Sequence, residues 1–248
     1  MTIALLFFLV LLLFLTYYFR LYTLFFPEKR LVVLMYHHLM PTSENALTVA
    51  TKDFENQLIY LKKKYTTIFF DELNASKKIK HKIILTFDDG YLNNQEFLLP
   101  LLKKHGMKAT IFIPTAKIET DDDKMSYEQL RTLDRHCIEL GLHSDSHQNY
   151  AQMSWQEAAL DLAQNIQKME EHQVPFTKVL AYPFGKFPKN NPAFFEMLKK
   201  HGIKYALRIG NRVQLFPFKK PYEVCRINVE GGDSLQRFKM KLLLGKLS

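Results

Sequence analysis

Short apolar runs alternate with amphipathic segments along most of this chain, and this alternation limits its possible folds more than any other feature. Strands that follow one another through helices pair in parallel, which predicts an α/β protein. About eight strands fit a closed or nearly closed (β/α) barrel. The predicted strands are 31–36, 66–70, 82–87, 108–114, 178–183, 204–209 and 223–229, and the short apolar run 137–142 is a further candidate. The predicted helices are 52–65, 93–106, 126–137, 154–172 and 192–202.

Two joints between a helix and a strand share the sequence Lys-Lys-His-Gly, at 103–106 and 199–202. Glycine after the last turn of a helix and lysines within that turn are favoured by backbone geometry and by the helix dipole. We therefore interpret His105 and His201 as residues of helix ends and not as metal ligands.

The first 26 residues differ from the rest of the chain. Residues 3–19 are apolar except for Thr16 and carry no charge. A run of about 20 apolar residues is long enough to cross a bilayer, so we expect an N-terminal transmembrane anchor over 1–26 and one folded domain over 27–248. The positive charges after the run, at Arg20, Lys29 and Arg30, favour a cytoplasmic location for the chain that follows it. An extracytoplasmic polymer as substrate would favour the opposite orientation, with the domain outside the cell.

The net charge of +9 raises the question of a nucleic-acid or phosphate ligand. The lysine pairs are scattered through helix ends and loops, and no glycine-rich phosphate loop occurs in the sequence. We therefore expect no nucleic-acid partner and interpret the charge as a solvated surface. Two cysteines, Cys137 and Cys225, are too few for a disulfide framework or a metal cluster.

Adjacent carboxylates end one predicted strand, in the sequence Thr-Phe-Asp-Asp-Gly-Tyr that contains Asp88 and Asp89. Two negative charges beside an apolar core are costly unless each has a partner. Barrels of this class carry their chemistry at the carboxyl ends of the strands. Asp88 and Asp89 are therefore candidates for the active site.

A second polar stretch follows the run 137–142. It holds His143 and His147, whose spacing places both imidazoles within reach of one metal ion. Such a pair is a weak signal alone, because many histidines are surface or core residues. One carboxylate added to two histidines makes a facial triad that leaves positions open for water and substrate.

The order of three motifs, Thr-Phe-Asp-Asp-Gly-Tyr, His-Ser-Asp-Ser-His and Tyr-Pro-Phe-Gly at 182–185, resembles that of the polysaccharide deacetylases of carbohydrate esterase family 4. The resemblance covers about residues 31–230. It implies a distorted (β/α) barrel and the removal of N-acetyl groups from amino sugars with a divalent metal. His₂Asp ligation suits zinc, and cobalt, nickel and iron also accept it.

The resemblance also implies roles for the motif residues. Asp88 is expected to act as the general base, while Asp89, His143 and His147 hold the metal. The backbone N–H of Phe184 is expected to stabilise the oxyanion. One carboxylate does not serve as both general base and metal ligand, because the negative charge of a ligand is already engaged by the metal.

Two departures from the common pattern point to one branch of the family. No histidine follows His201, so the usual C-terminal acid is absent, whereas His37 ends the first predicted strand after a tyrosine. This resembles the branch that deacetylates poly-β-1,6-N-acetylglucosamine, in which the barrel order is circularly permuted and the acid histidine is N-terminal. Ala181 stands where many members have the arginine that orients the base, and Arg226 is the candidate replacement.

The sequence thus predicts a metal-dependent N-deacetylase acting on poly-β-1,6-N-acetylglucosamine, a biofilm polymer. Peptidoglycan and chitin oligomers are alternative substrates, and a catalytically idle glycan-binding relative is the alternative class. Tyr91 and Trp155 are candidates to stack on sugar rings, although aromatic residues beside strands more often belong to the core.

Overall fold

The computed structural model describes residues 2–73 and 78–245, and parallel strands form its centre. The strands are β1 Arg30–Tyr36, β2 His38–Met40, β3 Thr48–Ala50, β4 Thr66–Thr67, β5 Lys82–Phe87, β6 Ala109–Ile113, β7 Ile138–Leu142, β8 Val179–Ala181, β9 Tyr205–Ile209, β10 Gln214–Leu215 and β11 Val224–Asn228. The α-helices are α1 Thr2–Tyr18, α2 Thr51–Lys62, α3 Leu99–His105, α4 Tyr127–Thr132, α5 Trp155–Glu171, α6 Pro192–Lys200 and α7 Leu235–Leu244.

Seven of the described strands close into a parallel barrel in the order β1, β5, β6, β7, β8, β9 and β11. Closure occurs at β1, which pairs in parallel with β5 on one side and with β11 on the other. Strand β4 extends the sheet beside β5, and β10 lies antiparallel to β1. The (β/α) barrel is therefore the architecture that strand–helix alternation predicted.

Alternate residues of the strands supply two separate apolar clusters. One cluster includes Leu31, Val33, Ile84, Val179 and Leu207, together with Phe112 and Val224. The other joins the remaining strand residues to the helices and includes the buried side chains of α2, α5 and α6. Because side chains alternate between the two faces of a strand, the first cluster fills the barrel and the second lies under the helices.

The ends of several helices follow their sequence signals. Ser154 accepts a hydrogen bond from the backbone N–H of Glu157, and Glu157 caps Ser154 in return. Ser126 and Gln129 make the same reciprocal cap on α4. Gly106 ends α3 with a φ of 64°, a left-handed conformation that glycine adopts without steric cost.

The structure differs from the predicted elements in several places. The predicted helix 126–137 is helical only over Tyr127–Thr132. The predicted strand 66–70 is a two-residue strand, Thr66–Thr67, followed by a 3-10 turn at Phe70–Glu72, which turns the chain so that Ile68 and Phe70 fill the barrel. A π-helical turn over Asn94–Leu98 replaces the start of the predicted helix 93–106. Helix α7 was not predicted.

The prediction of a transmembrane anchor is wrong. Helix α1 spans 17 residues, and the chain leaves it at Arg20, which has a left-handed φ of 52° and begins a 3-10 turn at Leu21–Phe25. A helix needs about 20 residues to cross the hydrocarbon core. Within residues 2–73 and 78–245, no helix combines the length and apolarity that a bilayer span requires. The predicted cell-membrane location, which rested on this anchor, is therefore wrong, and the described residues give no support for the predicted membrane partner.

Parallel closure brings the chemistry-bearing residues together. His37 follows β1, Asp88 and Asp89 follow β5, and His143 follows β7. Because all strand ends of a parallel barrel point the same way, these residues share one rim.

Candidate metal centre

Asp89, His143 and His147 form a compact group of three potential metal ligands. One ligand atom from each lies within 4.8 Å of the other two. The Oδ1 atom of Asp89 is 3.4 Å from Nε2 of His143 and 3.1 Å from Nε2 of His147. Two residues come from the loop after β7 and the third from the turn after β5, so the fold creates the group from distant parts of the chain.

The turn after β5 directs the Asp89 carboxylate toward the histidines. Asp89 has a φ of 73° and Gly90 a φ of 62°, so the chain reverses through two left-handed residues. A Cβ at position 90 would lie 2.9 Å from Cδ1 of Ile113. Glycine therefore satisfies both the backbone conformation and the close approach of β6.

Hydrogen bonding fixes the orientation of His143. Its Nδ1 lies 2.7 Å from the carbonyl oxygen of Ala181. With the proton on Nδ1 donated to that carbonyl, Nε2 presents a lone pair toward Asp89 and His147. Ligand histidines in metalloproteins are commonly held in this way.

The donor set and its burial fit a divalent metal. Two imidazole nitrogens and one carboxylate oxygen suit zinc and other transition metals. Burial opposes ionisation of Asp89, but the adjacent imidazoles of His143 and His147 outweigh it and hold the pKa of Asp89 below its usual range. The carboxylate is thus available as an anionic ligand.

Arg226 binds Asp88 through two parallel hydrogen bonds. Nη1 lies 2.5 Å from Oδ1 and Nη2 lies 2.7 Å from Oδ2, and both side chains are buried. Burial alone would raise the pKa of Asp88, but the guanidinium and the neighbouring histidines lower it. Asp88 is therefore a carboxylate at neutral pH, 3.9 Å from Nε2 of His143.

His37 lies on the other side of the same carboxylate. Its Nε2 is 4.0 Å from Oδ2 of Asp88. Burial lowers the pKa of His37, while Asp88 and Asp89 partly oppose this effect. Asp88 therefore lies between His37, a candidate proton donor, and His143, a candidate metal ligand.

The Tyr-Pro-Phe-Gly turn forms the next part of the rim, after β8. Phe184 has a φ of 56° and an exposed ring whose centroid is 4.9 Å from that of His147. A Cβ at Gly185 would approach the backbone nitrogen of Ile209 to 2.6 Å. The turn is thus held tightly against β9 and beside the metal ligands.

Tyr91 lies against two side chains that sequence reasoning missed. Its ring centroid is 3.5 Å from that of His38 and 3.2 Å from Nζ of Lys124. Burial and a hydrogen bond to Asp89 raise the pKa of the Tyr91 hydroxyl. The isolated bridge between Tyr91 and Lys124 is a tertiary contact with no local sequence signal. Trp155 begins α5 and is partly exposed, and its binding of sugar stays a prediction.

Comparison with known proteins decides the family. Residues 75–207 match the family model described as polysaccharide deacetylase, which is more than half of the chain. The chain belongs to the polysaccharide deacetylase family. The resemblance based on the three motifs is thereby confirmed.

Individual relatives within the polysaccharide deacetylase family agree with this assignment. The putative polysaccharide deacetylase YxkH of Bacillus subtilis is 31% identical over 164 residues, which are 64% of this chain and 58% of the relative. The poly-beta-1,6-N-acetyl-D-glucosamine N-deacetylase of Staphylococcus aureus is 26% identical over 200 residues, which are 73% of this chain and 67% of the relative. The match thus leaves about two fifths of YxkH uncovered.

Solved structures show the same fold. IcaB from Ammonifex degensii superimposes with a TM-score of 0.71 at 24% identity, covering 87% of this chain and 97% of that chain. The deacetylase PplD of Streptococcus pyogenes gives a TM-score of 0.73 at 20% identity, covering 86% and 98%. At these identities the likeness speaks for the fold alone.

Proposed function

We propose that this chain is a metal-dependent N-deacetylase of poly-β-1,6-N-acetylglucosamine. The observation that carries the proposal is the grouping, on one barrel rim, of a His₂Asp ligand set with a carboxylate that it does not use, Asp88. The Staphylococcus aureus relative, named for this activity, supports the choice of polymer. Deacetylation converts acetamido groups to amines and makes such a biofilm polymer cationic.

Asp89, His143 and His147 hold the metal in this proposal. A divalent ion, zinc as first choice, supplies positive charge that polarises the acetyl carbonyl and acidifies water. The three protein ligands leave the remaining positions open for water and substrate.

Asp88 removes a proton from the attacking water. Arg226 keeps it ionised and holds its two oxygens in one orientation. A carboxylate fixed by two charge-assisted hydrogen bonds loses rotational freedom, so its position relative to the water is set before substrate binds. The backbone N–H of Phe184 donates to the oxygen that becomes negative during attack.

His37 then protonates the departing amine. An amide nitrogen is a poor leaving group without a proton, and general acids contribute about 10² to 10⁴ in rate. The Nε2 atoms of His37 and His143 lie 4.0 Å and 3.9 Å from the same oxygen of Asp88, Oδ2. A proton donor on one side of the general base and a metal ligand on the other suit the two proton transfers of amide hydrolysis.

Acetate release from defined polymers tests the proposal. The full chain loaded with zinc is assayed on poly-β-1,6-N-acetylglucosamine, chitin oligomers and peptidoglycan, with Asp88→Asn as the matched inactive variant. We expect acetate from the first polymer, loss of release with a chelator, and little release from Asp88→Asn. Release only from another polymer would refute the substrate, and glycan binding without acetate from any polymer would refute the enzyme.

A further inference from the structure

The loop that carries both histidine ligands is held in a strained conformation. Ser144 has a φ of 69° and His147 a φ of 57°. Left-handed backbone at residues other than glycine is unfavourable and persists only where surrounding contacts impose it. One contact lies within the loop, where the backbone N–H of His147 donates to Oγ of Ser144 over 2.9 Å.

Asp161 on α5 supplies the contacts from outside the loop. Its Oδ2 accepts hydrogen bonds from the backbone N–H of Asp145 over 3.1 Å and from the Tyr150 hydroxyl over 2.8 Å. Its Oδ1 accepts from the backbone N–H of Ser146 over 2.8 Å. Asp161 is itself buried, with 6% of its surface exposed.

Two of the three donors lie between the ligands in the sequence. Asp145 and Ser146 lie between His143 and His147, and Tyr150 follows three residues after His147. We propose that Asp161 is a positioning residue for the metal centre: its carboxylate fixes the backbone from which both imidazoles project. The inference rests on the proposed function, because it concerns the same metal site, and it extends that function to a residue outside the three motifs.

The rest of the same helix face makes the attachment rigid. Lys168 donates to Oδ1 of Asp145 over 2.8 Å, and Thr115 donates to the same oxygen over 2.6 Å. Asn165 donates to Thr115 and to the carbonyl oxygen of Ile113 at the end of β6. Residues 161, 165 and 168 recur at the spacing of one helix face, so α5 binds the loop and the neighbouring strand end together.

Because Asp161 is buried, its substitution is expected to lower metal affinity strongly although it holds no metal. In Asp161→Asn one of the two acceptor oxygens becomes an NH2 group, so one backbone N–H of the loop faces a donor instead of an acceptor, and unpaired buried donors are costly. The loop would relax toward ordinary backbone conformations, which would separate the two imidazoles. Hydrogen-bond partners of metal ligands typically change metal affinity by about 10- to 100-fold when mutated.

Metal binding without substrate is the direct test. The chelator-stripped full chain and its variants are titrated with Co²⁺ and followed by visible absorption, and urea unfolding of each apoprotein is measured in parallel. We expect Asp161→Asn to raise the dissociation constant for Co²⁺ by about 10- to 100-fold. Tyr150→Phe removes only one of the three donors and should raise it by about fivefold, the worth of one hydrogen bond.

Asp233→Asn is the matched control, because Asp233 is also buried but pairs with Lys241 and Arg237 instead of the histidine loop. It should lower stability and leave Co²⁺ affinity unchanged. Wild-type Co²⁺ affinity in Asp161→Asn would overturn the inference. If Asp161→Asn does not fold, wild-type Co²⁺ affinity in Tyr150→Phe would overturn it. An equal loss of affinity in Asp233→Asn would overturn it as well. Absence of Co²⁺ binding by the wild type would instead refute the proposed metal centre.

Discussion

Arg226 and Asp88 form a buried pair joined by two hydrogen bonds, although they lie 138 residues apart in the sequence. Strand β1 lies between β5 and β11, so the arginine reaches across one strand to the carboxylate. The ring of Phe112 lies 5.6 Å from the guanidinium carbon. The pair places a permanent positive charge behind the proposed general base.

Replacing Arg226 should change the pH dependence of catalysis. Burial then acts on Asp88 without the opposing guanidinium, so its pKa rises, and the acidic limb of kcat/KM moves to higher pH in Arg226→Gln. Arg226→Lys retains the charge and should move the limb less. Because breaking a buried pair costs about 3–5 kcal/mol, profiles are recorded at a temperature at which each variant is folded. An unshifted limb in folded Arg226→Gln would show that this arginine does not control the base.

His37→Gln tests the proposed acid. We expect kcat on the glycan to fall by about 10² to 10⁴, with a much smaller loss on 4-nitrophenyl acetate, whose leaving group departs without protonation. His201→Gln is the control, because His201 lies at the end of α6 and bonds the Met197 carbonyl oxygen. Equal losses of His37→Gln on amide and ester would exclude a role in protonating the leaving group.

Metal removal should abolish deacetylation and lower stability. A chelator-treated chain should regain activity with Zn²⁺, and saturating metal at 100 times its dissociation constant stabilises the fold by about 2.7 kcal/mol. Asp89→Asn should regain little activity. His105→Gln should behave as wild type, since His105 instead contacts Glu55. Full activity in the metal-free chain, checked by elemental analysis, would contradict the proposed chemistry.

Glu139 predicts a pH dependence of stability away from the rim. Burial raises its pKa from 4.5 to about 6, against hydrogen bonds from Thr110 and from the backbone of Phe70 and Asp71. A raised folded-state pKa means that the folded protein binds the proton more tightly, so the contribution is present below pH 4.5 and is lost as pH rises to about 6. The loss amounts to at most about 2 kcal/mol. Urea unfolding of Glu139→Gln should lack this decline, and an identical decline in the variant would assign it to another group.

Sequence periodicity predicted the barrel because most strands carry their own apolar run and several helices their own caps. Ser154 and Glu157 are a local signal, and the structure shows them capping α5. The transmembrane prediction failed because composition does not reveal where a helix ends: the apolar run continues past Tyr18, but the backbone turns at Arg20. Whether the barrel order is permuted relative to other members stays a prediction.

The site was predictable where motifs are contiguous and unpredictable where they are not. Asp88, Asp89, His143 and His147 lie in two short stretches that the fold joins. Lys124 stacks on Tyr91 through a contact that no local pattern encodes. Asp161 did leave a signal, because it interrupts the buried face of α5 beside Ala158 and Leu162, but a buried carboxylate gains meaning only from the donors around it.

Diffraction from crystals grown with Co²⁺, recorded at the cobalt absorption edge, tests the central claim most directly. The account predicts one anomalous peak about 2.0–2.2 Å from a carboxylate oxygen of Asp89 and from Nε2 of His143 and of His147, with Asp88 alongside but bonded to Arg226. A peak elsewhere, or one that Asp88 ligates in place of Asp89, would contradict it.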